Sequence, residues 1–135
     1  MRVVLAEARA AIAGALAEAS RLGVEAAVTV VDDGGHVVSA DRMDGTALIA
    51  VRMSADKAYT AAVTCTPTAA WQPLVQPGAE LFGLASAEAG RIVVFGGGLP
   101  LERDGRTVGA IGVSGGSVEQ DEAIAAAGRA AWSAR

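Results

Sequence analysis

The chain has 135 residues, a formal net charge of −4, 52% hydrophobic residues and 19% charged residues, which is typical of one globular domain and excludes a disordered chain. The acidic charge argues against binding to nucleic acid or to an anionic membrane surface, because both depend on Lys and Arg. Only 4% of the residues are aromatic, whereas 31 are Ala and 17 are Gly, so each buried side chain removes little apolar area from water and we expect a homo-oligomer.

The first part of the chain predicts a helix followed by a β-hairpin. Apolar residues recur at helical spacing over Val3–Leu22, and Gly23 is a typical helix end. Val24–Val31 is rich in β-branched residues, which favours a strand. The turn residues of Asp32–Gly35 and the second strand, His36–Met43, complete an antiparallel hairpin.

The middle of the chain predicts helices joined by irregular segments. Thr46–Val63 is dominated by Ala and favours a second helix. Thr66-Pro67 places an N-cap residue before a Pro at the first helical position, which predicts a short helix that runs to Val75. Prolines and Gly make the chain irregular as far as Gly83, and Leu84–Ala89 predicts one helical turn.

The last part of the chain predicts three more strands and a closing helix. Arg91–Phe95 is a third strand, Leu99–Arg103 a fourth and Arg106–Val113 a fifth, the last two joined by a turn at Asp104-Gly105. Ser117-x-x-Gln120 fits a capping box that begins the final helix.

Hairpins, rather than βαβ units, predict an antiparallel sheet. We therefore expect the α/β (α+β) class: one domain over residues 1–135, with a five-stranded antiparallel sheet packed against helices and with β-hairpins flanked by N- and C-terminal helices.

The chain has one Cys and one His, which limits its metal and redox chemistry. Cys65 alone excludes an internal disulfide, a four-cysteine zinc site and a self-contained iron–sulfur cluster, and His36 alone excludes a multi-histidine metal site. We expect Cys65 to be a small buried apolar residue. The sequence shows neither a signal-peptide pattern nor an apolar run of about 20 residues, so we expect a cytoplasmic protein without a membrane span.

Two glycine-rich segments are candidates for a site. Gly112–Gly116 has the G-x-S-x-G pattern with a strand before it and a helix after it, so Ser114 is either a nucleophile or part of a glycine-rich entry into the capped helix. The N–H of Gly115 is a further candidate, as a donor to a ligand carboxylate. Gly96–Gly98 indicates a β-bulge, a pocket wall bounded by Phe95 and Pro100, or both.

Charged residues beside the first hairpin have two interpretations each. Asp32 and His36 are either turn residues or a general acid/base or metal-binding pair. Arg42 either pairs with Asp44 where the strand meets the helix or binds a substrate carboxylate. Lys57, the only lysine, is either a surface residue beside Asp56 or a selected amine that acts as a buried base or a Schiff-base nucleophile.

Five segments in this order resemble the GlcG/HbpS family, which also occurs as the C-terminal domain of PduO-type proteins. They are Val30–His36, Arg42–Gly45, Lys57–Ala61, Val94–Leu101 and Gly109–Gly116, and the acidic start of the last helix, Glu119–Glu122, is similar too. The resemblance spans nearly the whole chain. It implies one α/β domain with a five-stranded antiparallel sheet, assembly into dimers or larger homo-oligomers and, for some members, haem binding.

The favoured hypothesis is a protein that binds haem or a small aromatic or carboxylate ligand near the Gly96–Gly98 loop. The matched segments supply the candidate ligand-binding residues, which are Asp32, Met43, Tyr59, Phe95, Gly96, Gly97, Gly98, Pro100, Ser114 and Gly115. Haem is then the one cofactor to expect, with no resident metal ion. The alternative is a cofactor-independent isomerase, hydratase or lyase acting on an organic acid. In it, Lys57 or His36 is the base and Arg42 binds the carboxylate. Backbone N–H groups of Gly97, Gly98 or Gly115 stabilise an oxyanion. A structural or regulatory oligomer without a ligand is a third possibility.

Overall fold

The computed structural model describes residues 1–133. Its regular elements are α1 (Leu5–Leu22), β1 (Ala27–Asp32), β2 (Val37–Arg42), α2 (Leu48–Thr64), the short α3 (Ala87–Gly90), β3 (Gly98–Arg103), β4 (Arg106–Ser114) and α4 (Val118–Ser133). Two 3-10 segments, Thr68–Val75 and Leu84–Ser86, lie between α2 and α3. No helix within residues 1–133 is long and apolar enough to cross a membrane.

The sheet has the strand order β2-β1-β4-β3, and every neighbouring pair is antiparallel. Both predicted hairpins are confirmed. The second one turns at Asp104-Gly105, where both residues have positive φ values of 53° and 75°, as a two-residue hairpin turn requires. In the register of the sheet, Val30 lies opposite Ser39 on one side and Ile111 on the other.

The prediction of five strands is wrong, because the described residues form four. The segment that differs is Arg91–Phe95, which pairs with no strand of the described sheet. The N–H of Val93 donates instead to the hydroxyl of Thr60 on α2, at 3.0 Å. Ile92 and Val93 are buried, so the β-branched residues that favoured a strand serve to pack this segment within the fold.

The sheet is covered on both faces, which explains why all six residues of β1 are buried. Val28 and Val30 point to one face and belong to a core that includes apolar residues of α1 and α4. Val31 points to the other face and packs with alanines of α2, among them Ala58. The fold is therefore α+β with three layers, and the small side chains predicted from composition fill the layer beneath α2.

The predicted helix ends are confirmed. Gly23 follows α1 with a φ of 70°, and its N–H donates to Ala19 and Ser20 carbonyls. At the start of α4, the N–H of Ser117 donates to Gln120 Oε1 at 2.9 Å, and the N–H of Gln120 donates to Ser117 Oγ at 3.1 Å. This is the reciprocal capping box that the sequence predicts.

The segment after α2 differs from its prediction. Cys65 is exposed rather than buried, and it ends α2 in the left-handed conformation with a φ of 53°. The predicted short helix is a 3-10 segment that begins at Thr68. Thr68 is buried, and its Oγ1 accepts a hydrogen bond of 2.9 Å from the N–H of Gly98, so this segment is anchored to the start of β3.

Candidate functional site

Lys57 is a buried amine at the junction of α2, β4 and α4. Its side chain is 1% exposed, and its Nζ donates to the carbonyl of Val113 at 2.9 Å and to Oδ2 of Asp121 at 3.0 Å. Lys57 is buried because it lies on the sheet-facing side of α2 with Ser54, Ala58 and Ala61. The interpretation of Lys57 as a surface residue is therefore wrong.

The Val113 carbonyl needs a donor because its neighbouring strand ends there. The N–H of Val113 donates to the carbonyl of Gly97 at 2.9 Å, and the N–H and C=O of one strand residue point to the same side. β3 begins at Gly98, so the strand supplies no further donor for Val113. The Nζ of Lys57 donates to the Val113 carbonyl instead. Asp121 completes the junction because its Oδ1 accepts the N–H of Gly116 at 2.9 Å.

The charge of Lys57 is held in a balance between burial and its acidic neighbours. Burial lowers the pKa of Lys57, while the carboxylates of Asp121 and Glu122 raise it, and the net result is a pKa below the ordinary value for lysine. Lys57 and Asp121 thus form a hydrogen-bonded ion pair. The Lys57 amine is nevertheless easier to deprotonate than a lysine in water.

The Gly96–Gly98 loop is packed closely against other parts of the chain. A Cβ on Gly96 would lie 2.0 Å from Glu122 Oε1, one on Gly97 would lie 2.7 Å from Lys57 Nζ, and one on Gly98 would lie 2.5 Å from the Lys57 carbonyl. The Phe95 ring lies beside this cluster, with its centroid 5.1 Å from the Lys57 Nζ. The three glycines therefore make room for protein groups, whereas the irregularities of the sheet register lie elsewhere, between Val30 and Val31 and between Leu101 and Glu102.

The three candidate catalytic residues are not brought to one centre. His36 precedes β2 and Arg42 ends it, so the two backbones lie about 20 Å apart at the usual rise of about 3.3 Å per residue. Lys57 meets Val113 on the β3 side of β4, whereas Arg42 lies on β2 at the opposite edge of the sheet. A single reacting group therefore cannot contact all three side chains.

Asp32 and His36 make the contacts of a turn. Asp32 Oδ1 accepts the N–H groups of Gly34 and His36 at 2.9 and 3.0 Å, and it lies 3.3 Å from His36 Nδ1. Burial raises the pKa of Asp32, but these backbone hydrogen bonds and the nearby His36 and Arg2 outweigh it, so its pKa lies below the ordinary value. The His36 side chain is 83% exposed, which leaves its other ring nitrogen, Nε2, accessible.

Tyr59 lies in a charged cluster on the outer part of α2. The guanidinium of Arg91 lies 3.6 Å from its ring centroid, and its hydroxyl donates to Glu88 Oε2 at 3.3 Å. Asp56, one turn earlier, binds Arg91 at 3.4 Å and Arg52 at 3.1 Å. These contacts fasten the irregular segment before β3 to α2.

The remaining predicted ligand-binding residues lie in separate places. Met43 follows β2, and its Sδ accepts the N–H of Ala26 at 3.3 Å. Ser114 ends β4 opposite Ala27, and a Cβ on the next residue, Gly115, would lie 2.3 Å from the Glu25 carbonyl. Pro100 is buried in β3.

An open cleft lies between β2 and α2. α2 packs mainly on β1, β4 and β3, so the side of the edge strand β2 that faces α2 is left partly uncovered. The cleft has a volume of about 310 Å³. Its lining residues are Ala27, Thr29, Val37, Ala40, Asp41, Arg42, Val51, Ser54 and Ala55.

The cleft is mostly apolar, and its two charged lining residues are Asp41 and Arg42. Thr29 Oγ1 and Ser54 Oγ are hydrogen-bonded to each other at 2.9 Å, so its deepest hydroxyls already have partners. Val37 and Val51 contribute aliphatic walls, and Arg42 contributes an exposed guanidinium. A cleft of this size, with apolar walls and charged side chains, suits a small, largely apolar ligand with a polar end.

Sequence reasoning did not find the partner of Lys57 or the cleft. In the sequence, Asp121 is only one of the carboxylates at the acidic start of the last helix, but in the structure it is 3% exposed whereas Glu119 is exposed. Val51, Ser54 and Ala55 carry no chemical signal of their own. Only the helical spacing that places Val51, Ser54 and Ala55 on one face of α2 points to a shared role.

Comparisons with known proteins agree with this architecture. The family described as haem-degrading protein HbpS-like matches residues 3–130. The corrinoid adenosyltransferase PduO of Salmonella typhimurium is 43% identical over 111 residues, a match that covers 82% of this chain and 33% of that protein. The chain thus spans about a third of the length of that relative.

Solved structures extend the likeness to the whole fold. Klebsiella pneumoniae protein ORFY superposes with a TM-score of 0.98 at 35% identity, over 100% of this chain and 94% of that one. A structure described as a PduOC:heme complex superposes with a TM-score of 0.93 at 38% identity, over 97% and 95% of the two chains.

Proposed function

The chain belongs to the HbpS-like family, and from that membership we propose that it binds haem or a smaller flat aromatic carboxylate in the cleft between β2 and α2. The observation that carries the proposal is the cleft itself, which is apolar along Val37 and Val51 and is also lined by Arg42. The PduOC relative, which is 38% identical, forms a complex with haem, and this supports haem as the first ligand to test.

The cleft is a better place for the ligand than the Gly96–Gly98 loop expected from the sequence. Lys57, Glu122 and Thr68 lie where side chains on that loop would point. The cleft volume of about 310 Å³ falls at the lower end of the range for ligand pockets, about 300–1,000 Å³.

The residues of the cleft fit haem in a defined way. Aliphatic walls suit the faces of the porphyrin, and Arg42 suits a propionate. His36, the only imidazole in the chain, does not line the cleft, and the Asp32 that it contacts points to the sheet face of Val28 and Val30, so we assign no iron ligand within the cleft.

Exposed apolar residues near the cleft favour its association with a second copy of the chain. Leu48 and Ile49 are 81% and 72% exposed at the start of α2, and Val37 on β2 is 60% exposed. Exposed large apolar side chains can mark association surfaces. We therefore include a homodimer through this face in the proposal, and substitution of Ile49 by Glu is expected to give monomers in light scattering.

The test is a hemin titration of the purified chain followed by its Soret absorption. We expect a saturable, shifted band, and we expect Arg42→Ala to weaken hemin binding by about tenfold, the effect of one charge-assisted hydrogen bond. Arg106→Ala, at the exposed β3–β4 turn, is the matched control and should bind as the wild type does. If hemin gives no saturable band, haem is excluded. If no aromatic carboxylate binds in an Arg42-dependent way either, the cleft proposal is wrong.

A further inference from the structure

A second cavity lies where the end of α4 meets β3, and it shares no residue with the cleft. Its volume is about 330 Å³. Its lining residues are Pro67, Pro100, Glu102, Arg129, Trp132 and Ser133. Two prolines and an indole form apolar walls, and two residues of opposite charge complete the lining.

The two charges lining this cavity are available to a ligand. Glu102 on β3 and Arg129 on α4 are both exposed, and within residues 1–133 neither belongs to an ion pair. A lone anion in this cavity would be repelled by Glu102, and a lone cation by Arg129. A ligand that carries both charges avoids both penalties.

Trp132 contributes its indole ring to the wall of the cavity. The residue is 7% exposed, and its Nε1 is buried with no hydrogen-bond partner among residues 1–133. Its ring is held in place by Arg103, whose guanidinium lies 5.6 Å from the ring centroid and also pairs with Glu7. The Nε1 of Trp132 has almost no accessible surface, so a ligand in the cavity would contact the indole ring rather than its N–H.

We propose that this cavity binds a free α-amino acid with an aliphatic or aromatic side chain. The ligand carboxylate pairs with Arg129, and the ligand packs against the indole ring of Trp132. The ligand ammonium pairs with Glu102, and its side chain lies against Pro67 and Pro100. The site is independent of the cleft between β2 and α2 and of any ligand bound there.

The indole N–H signals of the ¹⁵N-labelled protein test this site directly. The chain has two tryptophans, Trp71 and Trp132, and the Trp132→Phe variant assigns the two signals. We expect L-leucine or L-phenylalanine to shift the Trp132 signal saturably. 4-Methylpentanoate, which lacks the ammonium of leucine, and isopentylamine, which lacks its carboxylate, should bind at least about tenfold more weakly, because each leaves one protein charge unpaired.

Charge-neutral variants complete the test. Glu102→Gln and Arg129→Gln should each weaken amino-acid binding by about tenfold, and Glu119→Gln, an exposed residue in the first turn of α4, is the control that should not. The proposal is overturned if neither amino acid shifts the Trp132 signal saturably, or if both cavity variants bind as the wild type does. Hemin binding in the same samples reports on the cleft separately.

Discussion

The Nζ atom of Lys57 lies 3.0 Å from Oδ2 of Asp121, and the two side chains are 1% and 4% exposed. The pair joins α2 to the start of α4, 64 residues apart in the chain, and also binds the Val113 carbonyl. A buried pair of this kind depends on complete hydrogen bonding, because either charge alone is strongly unfavourable away from water.

Removal of the Lys57 charge should therefore destabilise the fold. Lys57→Met keeps the length of the side chain but leaves Asp121 without its cation, and we expect a loss of about 3–5 kcal/mol in the free energy of unfolding. Arg52→Met, on the same helix but 73% exposed, removes a surface ion pair and should change it by less than about 1 kcal/mol. Urea unfolding measures both. Similar small losses in the two variants would show that the buried pair contributes little.

The titration of Lys57 should occur below the usual range for lysine. Because it is the only lysine, protein grown with ¹³C-labelled lysine gives one Cε signal to follow against pH. We expect a midpoint below the ordinary value of about 10.4, since burial disfavours the charged form. A midpoint at or above about 10.4 would mean that Asp121 and Glu122 outweigh burial.

The lowered pKa of Lys57 determines how its contribution to the free energy of unfolding changes with pH. Between the folded pKa of Lys57 and about 10.4, the unfolded chain binds more protons than the folded chain, so the contribution of Lys57 to stability increases with pH in that window. The difference in unfolding free energy between wild type and Lys57→Met should increase correspondingly. A decrease across that window would contradict the assigned direction.

Gly97 should tolerate no side chain. A Cβ there would lie 2.7 Å from both Lys57 Nζ and the Val113 carbonyl, and the φ of 126° disfavours any residue with a Cβ. We expect Gly97→Ala to lower the free energy of unfolding by about 2–4 kcal/mol. Gly83→Ala is the control, because nothing lies within 4 Å of its Cβ position and its φ is −88°. Equal unfolding midpoints for the two variants would show that the loop can move away from Lys57.

A larger side chain in the cleft should block the ligand without unfolding the protein. Ala55 lines the cleft from α2, and Ala55→Leu fills part of its volume of about 310 Å³. We expect hemin binding to be lost while stability changes by less than about 1 kcal/mol, since Ala and Leu are both strong helix formers. Ala126→Leu makes the same change on an exposed position of α4. Undiminished hemin binding by Ala55→Leu would place the ligand elsewhere.

Several features of the fold were predictable because they depend on residues a few positions apart. The turn at Asp104-Gly105, the end of α1 at Gly23 and the Ser117–Gln120 capping box each need only local backbone conformations and short-range hydrogen bonds. The family resemblance was predictable for a related reason, because its five segments are read in order along the chain. The match of the family model to residues 3–130 confirms this resemblance.

The strand count and the candidate site depended on contacts between distant residues. Val93 is a β-branched residue that favours a strand. Its N–H nevertheless donates to the hydroxyl of Thr60, 33 residues earlier, rather than to a neighbouring strand. A lysine in a helix is usually exposed to solvent, yet Lys57 is buried because it pairs with the carboxylate of Asp121. The sequence by itself determined the hairpins, the helix ends and the family. The tertiary structure alone decided which polar groups are paired in the interior and where the sheet leaves a cleft, because burial and hydrogen-bond partners are set by packing across the whole chain.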